Sequence, residues 1–281
     1  MANDLHLPTW NTLSASEDHA IPLITSAFLI AKDEYSELDV PSYLALIRSY
    51  ADALRAKVEK ISLWPLKMAA INQFVFKEIG FTGERKDFYD PRNSYLNEVM
   101  ERKRGNPLSL ALILIEVAHQ LGIHLEGISF PGSFLVRLPV ENNLLVMDPF
   151  EDGRPLGLDE IRERINPLLD RYFAEGVSIA RILDAASKRD ILTRMLRNLH
   201  AVYAHQGQWD KAARCADRIL KLLPHQPEAV RDRGLAYLEL GHTKGARQDL
   251  ERYLNLYPGA QDAYMIHEHL AHIGARNSNM H

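Results

Sequence analysis

Residues 107–147 read PLSLALILIEVAHQLGIHLEGISFPGSFLVRLPVENNLLVM, and a change of period inside this stretch decides the fold. Over residues 108–121 apolar side chains fall on nearly every side. Pro107 suits a first helical turn and Gly122 a helix end. A helix apolar all round belongs inside a core. Three short runs rich in strand-forming residues follow, 125–130 (LEGISF), 134–138 (FLVRL) and 144–147 (LLVM). Pro131-Gly132 and Glu141-Asn142-Asn143 separate them, so consecutive runs are expected to pair antiparallel. A small sheet on a buried helix makes an α+β unit.

Upstream the pattern is helical. Pro41 followed by Leu44, Ile47, Tyr50, Ala51 and Leu54 places one apolar stripe on a helix. Pro65 opens a second run through Met68, Ile71, Phe74 and Phe76, which Gly80 stops. The first fifteen residues, with Pro8 and Asn11 and little periodicity, read as a loosely held leader. Residues 80–106 are punctuated by Gly80, Gly83, Pro91 and Gly105, with one short helix over 93–102 for which Asn93 or Ser94 is the expected N-cap. Residues 158–174 return to helix, and Gly176-Val177 begins a link. Three regions follow: 1–79 helical, 80–176 the α+β core, and 177–281 an all-helical module.

The last region repeats itself. Tyr203, Gly207, Ala212, Leu220 and Pro224 recur as Tyr237, Gly241, Ala246, Leu254 and Pro258, each 34 residues on. That period and those residue types resemble tetratricopeptide hairpins, in which alanine admits close helices, glycine closes the turn and proline ends the unit. A third helix over 262–273 would cover the last hairpin.

Composition narrows the chemistry. The 281 residues hold one cysteine, Cys215, which excludes an intramolecular disulfide and a multi-cysteine metal site. The apolar stretch 21–31 is too short to span a bilayer, and no basic leader precedes it, so a cytoplasmic location is expected. Net charge is −4; residues 1–180 carry 18 Lys/Arg against 26 Asp/Glu, while 181–257 carry 14 against 9. That modest basic excess has no recognition-helix motif beside it, so nucleic acid is not the expected partner. His267 and His269 are two apart on a helix, and His200, His205, His225 and His242 sit at turns or surfaces, so no metal is assigned. No phosphate-cradling glycine motif occurs, and no cofactor is expected. The Arg102-Lys103-Arg104 triplet reads as a solvated helix end.

Three stretches carry a family resemblance. NSYLNEVMERKRGNPLSLALILIEVAHQLGI (93–123), then EGISFPGSFLVRL (126–138) and LLVMDPFEDGRPL (144–156), resemble bacterial SirB-type proteins over roughly residues 40–260. Those proteins join a transglutaminase-like, papain-like core to tetratricopeptide repeats. The resemblance implies a triad with cysteine at the start of the buried helix, histidine on one strand and aspartate on the next. It works because the helix N-terminus lowers the thiol pKa, histidine takes the proton and aspartate orients histidine. The matching positions here are Ser109, Ser133 and Asp148, so two of three roles have lost their chemistry. A serine hydroxyl needs a general base, and Ser133 is none near neutral pH. His119 lies about 15 Å along the helix from Ser109, and neither it nor His124 substitutes.

The expectation is therefore a catalytically disabled core, with Ser109 serving backbone N–H groups at the helix start and Asp148 closing an Asp-Pro turn. Function then falls to a protein or peptide partner held in the repeat groove. There Arg194, Arg197 and Arg231 would meet carboxylates, unless Glu228 and Glu239 neutralise them. The competing reading is a serine-dependent amide hydrolase or acyltransferase using Ser109.

Overall fold

The structure is a computed structural model describing residues 7–140, 143–166 and 178–278. It divides into two compact units, one of residues 1–8 and 17–192, the other of residues 9–16 and 193–281. Of the regions read above as 1–79 and 80–176, the described residues from Glu17 onward fall inside one unit, and the repeat-bearing part of the second unit starts at Thr193.

The described part of the leader is not loose. Helix α1 (Trp10–Ala15) starts in a reciprocal capping box: Thr12 N–H donates to Thr9 Oγ1 at 3.1 Å, and Thr9 N–H donates to Thr12 Oγ1 at 2.8 Å. Trp10 and Leu13 are buried. The helix belongs to the C-terminal unit, where it packs on the helix over 209–222 and Arg218 lies 5.2 Å from the centre of the Trp10 ring. Six residues with two apolar anchors show no period to a reader of the sequence.

The N-terminal unit opens with α2 (Leu23–Lys32) and α3 (Val40–Glu59). Pro41 lies in the first turn of α3, and Ser42 N–H donates to the side chain of Asp39. Helix α4 (Trp64–Asn72) runs into a π-helical turn over Gln73–Glu78, and Gly80, at φ +88°, ends the run. Next, β1 (Thr82–Gly83) pairs in parallel with β2 (Arg104–Gly105), and α5 (Leu96–Arg102) lies between them in sequence. The expected N-caps of α5 prove otherwise. The cap position is Tyr95, which contributes no side-chain bond, while Asn93 and Ser94 are buried and bonded elsewhere.

Helix α6 (Pro107–Gln120) is the expected core helix, with nine buried residues from Leu108 to Ala118. Gly122, at φ +75°, ends it, and Ile123 N–H reaches back to the Ala118 carbonyl at 2.9 Å. The antiparallel sheet follows in the order β3 (Glu126–Ile128), β4 (Leu135–Val140), β5 (Asn143–Asp148) and β6 (Arg154–Pro155). Glu141-Asn142, in the turn expected between β4 and β5, lie outside the described residues. Both sheet faces are buried. Ile128, Leu135 and Val146 meet Leu156, Ile161, Ile165 and Leu183 in one cluster. On the alternate positions Val136, Leu138 and Met147 are buried too, and α6 packs against β3 and β4. Helix α7 (Leu158–Ile165) supplies the outer layer, and the short α8 (Ile179–Ile182) follows it. The rest of the helix expected over 158–174, with Gly176 and Val177, lies outside the described residues.

In the C-terminal unit the 34-residue period becomes α9 (Lys188–His205, whose first turns belong to the other unit), α10 (Trp209–Leu222), α11 (Pro227–Glu239) and α12 (Thr243–Leu256). A fifth helix, α13 (Ala263–Ser278), packs on α12 and buries Ile266 and Ile273. The repeated residues do what their types suggest. Gly207 and Gly241 turn at φ +70° and +76°, and Ala212 and Ala246 are fully buried. Arg233 of α11 adds a link across three helices, meeting Asp217 of α10 at 3.0 Å and both oxygens of Asp249 of α12 at 2.7 and 2.9 Å.

Candidate functional site

The three triad positions sit on the elements that the resemblance implies. Ser109 is the third residue of α6. Ser133 lies in the turn before β4, and Asp148 is the last residue of β5. The register pairs Val136 with Met147, which puts Ser133 and Asp148 at the same end of the β4–β5 pair. Helix α6 packs against β4 and against the 3-10 turn Pro149–Glu151 that Asp148 begins.

The side chains of Ser109 and Asp148 are committed elsewhere. Ser109 is fully buried, and its hydroxyl donates to the Asn93 carbonyl at 2.8 Å with a second carbonyl, that of Asn106, at 3.1 Å. Its role is therefore to donate to carbonyls, not, as expected, to serve N–H groups of the helix start. That service comes from Asn106, whose Oδ1 accepts from Ser109 N–H at 2.9 Å as the N-cap of α6. The Asn106 Nδ2 donates to Ser94 Oγ at 2.9 Å, and Asn106 N–H donates to the Asn93 carbonyl at 3.1 Å. Asn93 in turn donates to the Asp87 carbonyl at 2.7 Å. The NSYLN motif is thus part of a buried polar scaffold that ties the loop before α5 to the first turn of α6.

Asp148 closes its Asp-Pro turn as expected, accepting from Phe150 N–H at 2.9 Å. Its other oxygen carries a contact that the sequence reading missed, an ion pair with Arg164 at 2.6 Å. Arg164 continues to Glu160 at 3.0 Å, and Glu160 to Arg154 at 2.5 Å. The hydrogen bond from Arg154, then that from Arg164, holds the Glu160 carboxyl down to about 2 from an ordinary 4.5. Burial works against the Arg164 charge, yet the bond to Asp148 leaves its pKa raised. Because the folded carboxyl is the stronger acid, its share of stability is complete above about 4.5 and is lost as pH falls towards about 2. Urea unfolding at roughly pH 5 and roughly pH 3 is expected to show a smaller loss of midpoint in Glu160→Gln than in the parent; equal losses contradict the assignment.

The Asp148–Gly153 turn is clamped from the other side as well. Asn72 Nδ2 donates to the Gly153 carbonyl at 2.7 Å, Lys77 meets Asp152 at 2.5 Å and Arg85 meets Glu151 at 2.6 Å. A Cβ on Gly83 would stand 2.5 Å from the Phe150 ring, so only glycine lets β1 approach this turn. The Arg102-Lys103-Arg104 triplet is anchored as well. Arg102 donates to Asn93 Oδ1 at 3.3 Å, and Arg104 pairs with buried Glu84 at 3.1 Å. Lys103, left-handed at φ +58°, lies over the rings of Tyr50 and Phe81.

In the C-terminal unit Arg194 is half-buried and Arg197, one turn on, is exposed. Arg231 is half-buried and bound to Asp232 at 2.8 Å and Asp262 at 2.9 Å. Burial disfavours its charge, and those two carboxylates outweigh burial to raise its pKa. Its carboxylates are thus these aspartates rather than Glu228 or Glu239; Glu228 accepts from Gln226. Among the described residues no group of three or more His, Cys, Asp or Glu side chains is placed to hold a metal, and no helix is long and apolar enough to cross a membrane.

Comparison with known proteins agrees with this division of the chain. Residues 41–197 match the model of the transglutaminase-like superfamily, and residues 199–271 match a tetratricopeptide repeat model. A UPF0162 protein of Xylella fastidiosa (strain 9a5c) is 56% identical over 281 residues, the full length of both chains. A UPF0162 protein of Pseudomonas aeruginosa is 38% identical over 64% of each chain. The UPF0162 protein YchA of Escherichia coli (strain K12) is 24% identical over 80% of this chain and 84% of its own. With the superfamily match spanning more than half its length and whole-length identity to a UPF0162 protein, the chain belongs to the UPF0162 family of transglutaminase-like proteins that end in tetratricopeptide repeats.

Proposed function

We propose that the chain is a cytoplasmic, SirB-type interaction adaptor, in which a transglutaminase-like unit without a working triad is joined to repeats that hold a protein or peptide partner. The observation that supports this most is the fate of the Ser109 hydroxyl. Its hydrogen is spent on the Asn93 carbonyl, and the residue that matches a catalytic histidine is Ser133. A serine nucleophile needs a base within about 3.2 Å, and both oxygens of Asp148 are occupied by Arg164 and a backbone N–H.

The partner surface is read from the repeats. Arg194, Arg197 and Arg231 lie on the first helices of successive hairpins, and guanidinium forks suit carboxylates of an extended peptide or chain terminus. Arg197 is the exposed member, whereas Arg231 also ties α11 to the segment before α13 through Asp262. Arg197→Glu is therefore the cleaner test, since Arg231→Glu would break an internal link. Affinity capture with the full chain is expected to show a tenfold or larger loss of partner in Arg197→Glu, corresponding to about 1.4 kcal/mol, with capture by Ser109→Ala unchanged. Equal capture by the parent and Arg197→Glu would dispose of the groove reading.

A further inference from the structure

Beyond Ser109, towards its C-terminal end, α6 borders open space. Leu112, Ile115, Glu116 and His119, spaced as one helical stripe, line a cavity of about 430 Å³ within the N-terminal unit. Its other walls are mainly apolar, with Asp18, His124, Glu126 and Lys188 among them. Ile21, Leu23 and Ile24 stand on one side, with Leu125 and Gly127 of the sheet edge and Ala185, Ala186 and Ile191 on the others. Cavities of this size and character take small molecules with an apolar body and one or two placed polar groups.

The polar groups of the lining decide which. Asp18 is spent on a helix start, accepting from Lys188 and Arg189 N–H at 3.1 and 2.8 Å. The Lys188 ammonium is held by the carbonyls of His19 and Ile21 at 2.7 and 2.8 Å. Glu126 is paired with Arg137 at 2.7 Å, with the His124 imidazole 3.8 Å from its other oxygen. Glu116 differs. It is half-buried, it accepts from Gln120 Nε2 at 2.7 Å, and among the described residues no cation pairs with it. His119 and His124 are exposed at the rim, and the Lys188 ammonium of the lining is held by backbone carbonyls rather than by Glu116.

We infer that this cavity binds a small apolar amine, its hydrocarbon body against Ile24, Leu112, Ile115 and Ile191 and its ammonium on the Glu116 carboxylate. Apolar walls lower the local dielectric, and a charge-assisted bond there outweighs its counterpart in water. The same walls and carboxylate reject an isosteric anion. The site is independent of the triad positions and of the repeat groove, so it stands or falls apart from the adaptor reading.

The test uses the full-length chain and n-hexylamine, with hexanoate as the control of matching shape and opposite charge. Hexylamine is expected to shift the backbone amide resonances of Gly127, Ala185 and Ala186 in a saturable way, and hexanoate to shift them at least tenfold more weakly. Glu116→Gln is expected to weaken hexylamine about tenfold. Ala186→Leu, which fills the cavity from its wall, is expected to abolish binding while the far-ultraviolet spectrum stays that of the parent. Hexylamine leaving those amides unmoved, hexanoate binding as well as hexylamine, or undiminished binding by Glu116→Gln would each overturn the assignment.

Discussion

Replacing Arg233 with methionine is expected to destabilise the C-terminal unit by about 3 kcal/mol, the cost of stranding a buried carboxylate. Asp249 is only 6% exposed, and both its oxygens are bonded to Arg233. Methionine preserves much of the stem but leaves that charge unpartnered between α11 and α12. Gly234, next in sequence, stands so close to Leu250 that a Cβ would lie 2.9 Å from it, so the helices have little room to adjust. For a unit of this size the loss corresponds to roughly 15 °C in Tm, read by calorimetry on the full chain. Removing both partners in Arg233→Met/Asp249→Leu is expected to recover most of it, because the desolvation penalty disappears with the charge. A Tm unchanged in the single variant would mean that the three-helix link carries no stability.

The second large effect is expected at Asn106, where alanine should destabilise the N-terminal unit by about 2–3 kcal/mol. The loss combines an N-cap, worth about 1 kcal/mol, with a buried donor to Ser94 Oγ worth a similar amount. Asn106→Asp separates the parts. Aspartate keeps the acceptor for Ser109 N–H, suits the positive end of α6, and lets the Ser94 hydroxyl rotate to donate. Its cost is expected to be less than half that of alanine, measured by urea midpoints. Equal costs in the two variants would show that the Ser94 link, not the cap, holds the loop.

These two residues also show where reading the sequence stops. Periodicity exposed α3, α6, the three longer strands and both hairpins because each buries a face that recurs along the chain. It passed over α1, whose two anchors matter only once α10 is beside them. It passed over β1 and β2 too, two-residue strands that pair in parallel across 22 residues of chain. Polar residues were harder still, since a side chain's partner is set by tertiary structure. Asn93 and Ser94 look like N-caps of α5 by type, yet its cap position is Tyr95 and their side chains bond to the Asp87 carbonyl and to Asn106. Arg231 invites a groove role because it falls in register with Arg197, whereas Arg233 has leucine, Leu199, at the corresponding place and drew no notice.

At the candidate site the residue types carried the main message. Serine at two triad positions could be read directly, and so could the Asp-Pro turn at Asp148. The Arg164–Glu160–Arg154 chain could not, because Arg164 is 16 residues from Asp148 and belongs by pattern to the solvent face of an ordinary amphipathic helix. The carbonyl-directed hydroxyl of Ser109 is likewise a product of the fold. Nothing local indicates that the chain around Asn93 passes within 2.8 Å of the start of α6.

The proposed adaptor role requires a transglutaminase-like unit without acyl chemistry, with serine at position 133 where a proton acceptor for Ser109 would be needed. Acyl turnover probes that most directly. Purified parent and Ser109→Ala, both shown to be folded by circular dichroism, are incubated with an activated ester and with an anilide. The two are expected to react at rates that match each other and the slow reaction of ordinary surface nucleophiles. Sustained turnover by the parent that disappears in Ser109→Ala would contradict it.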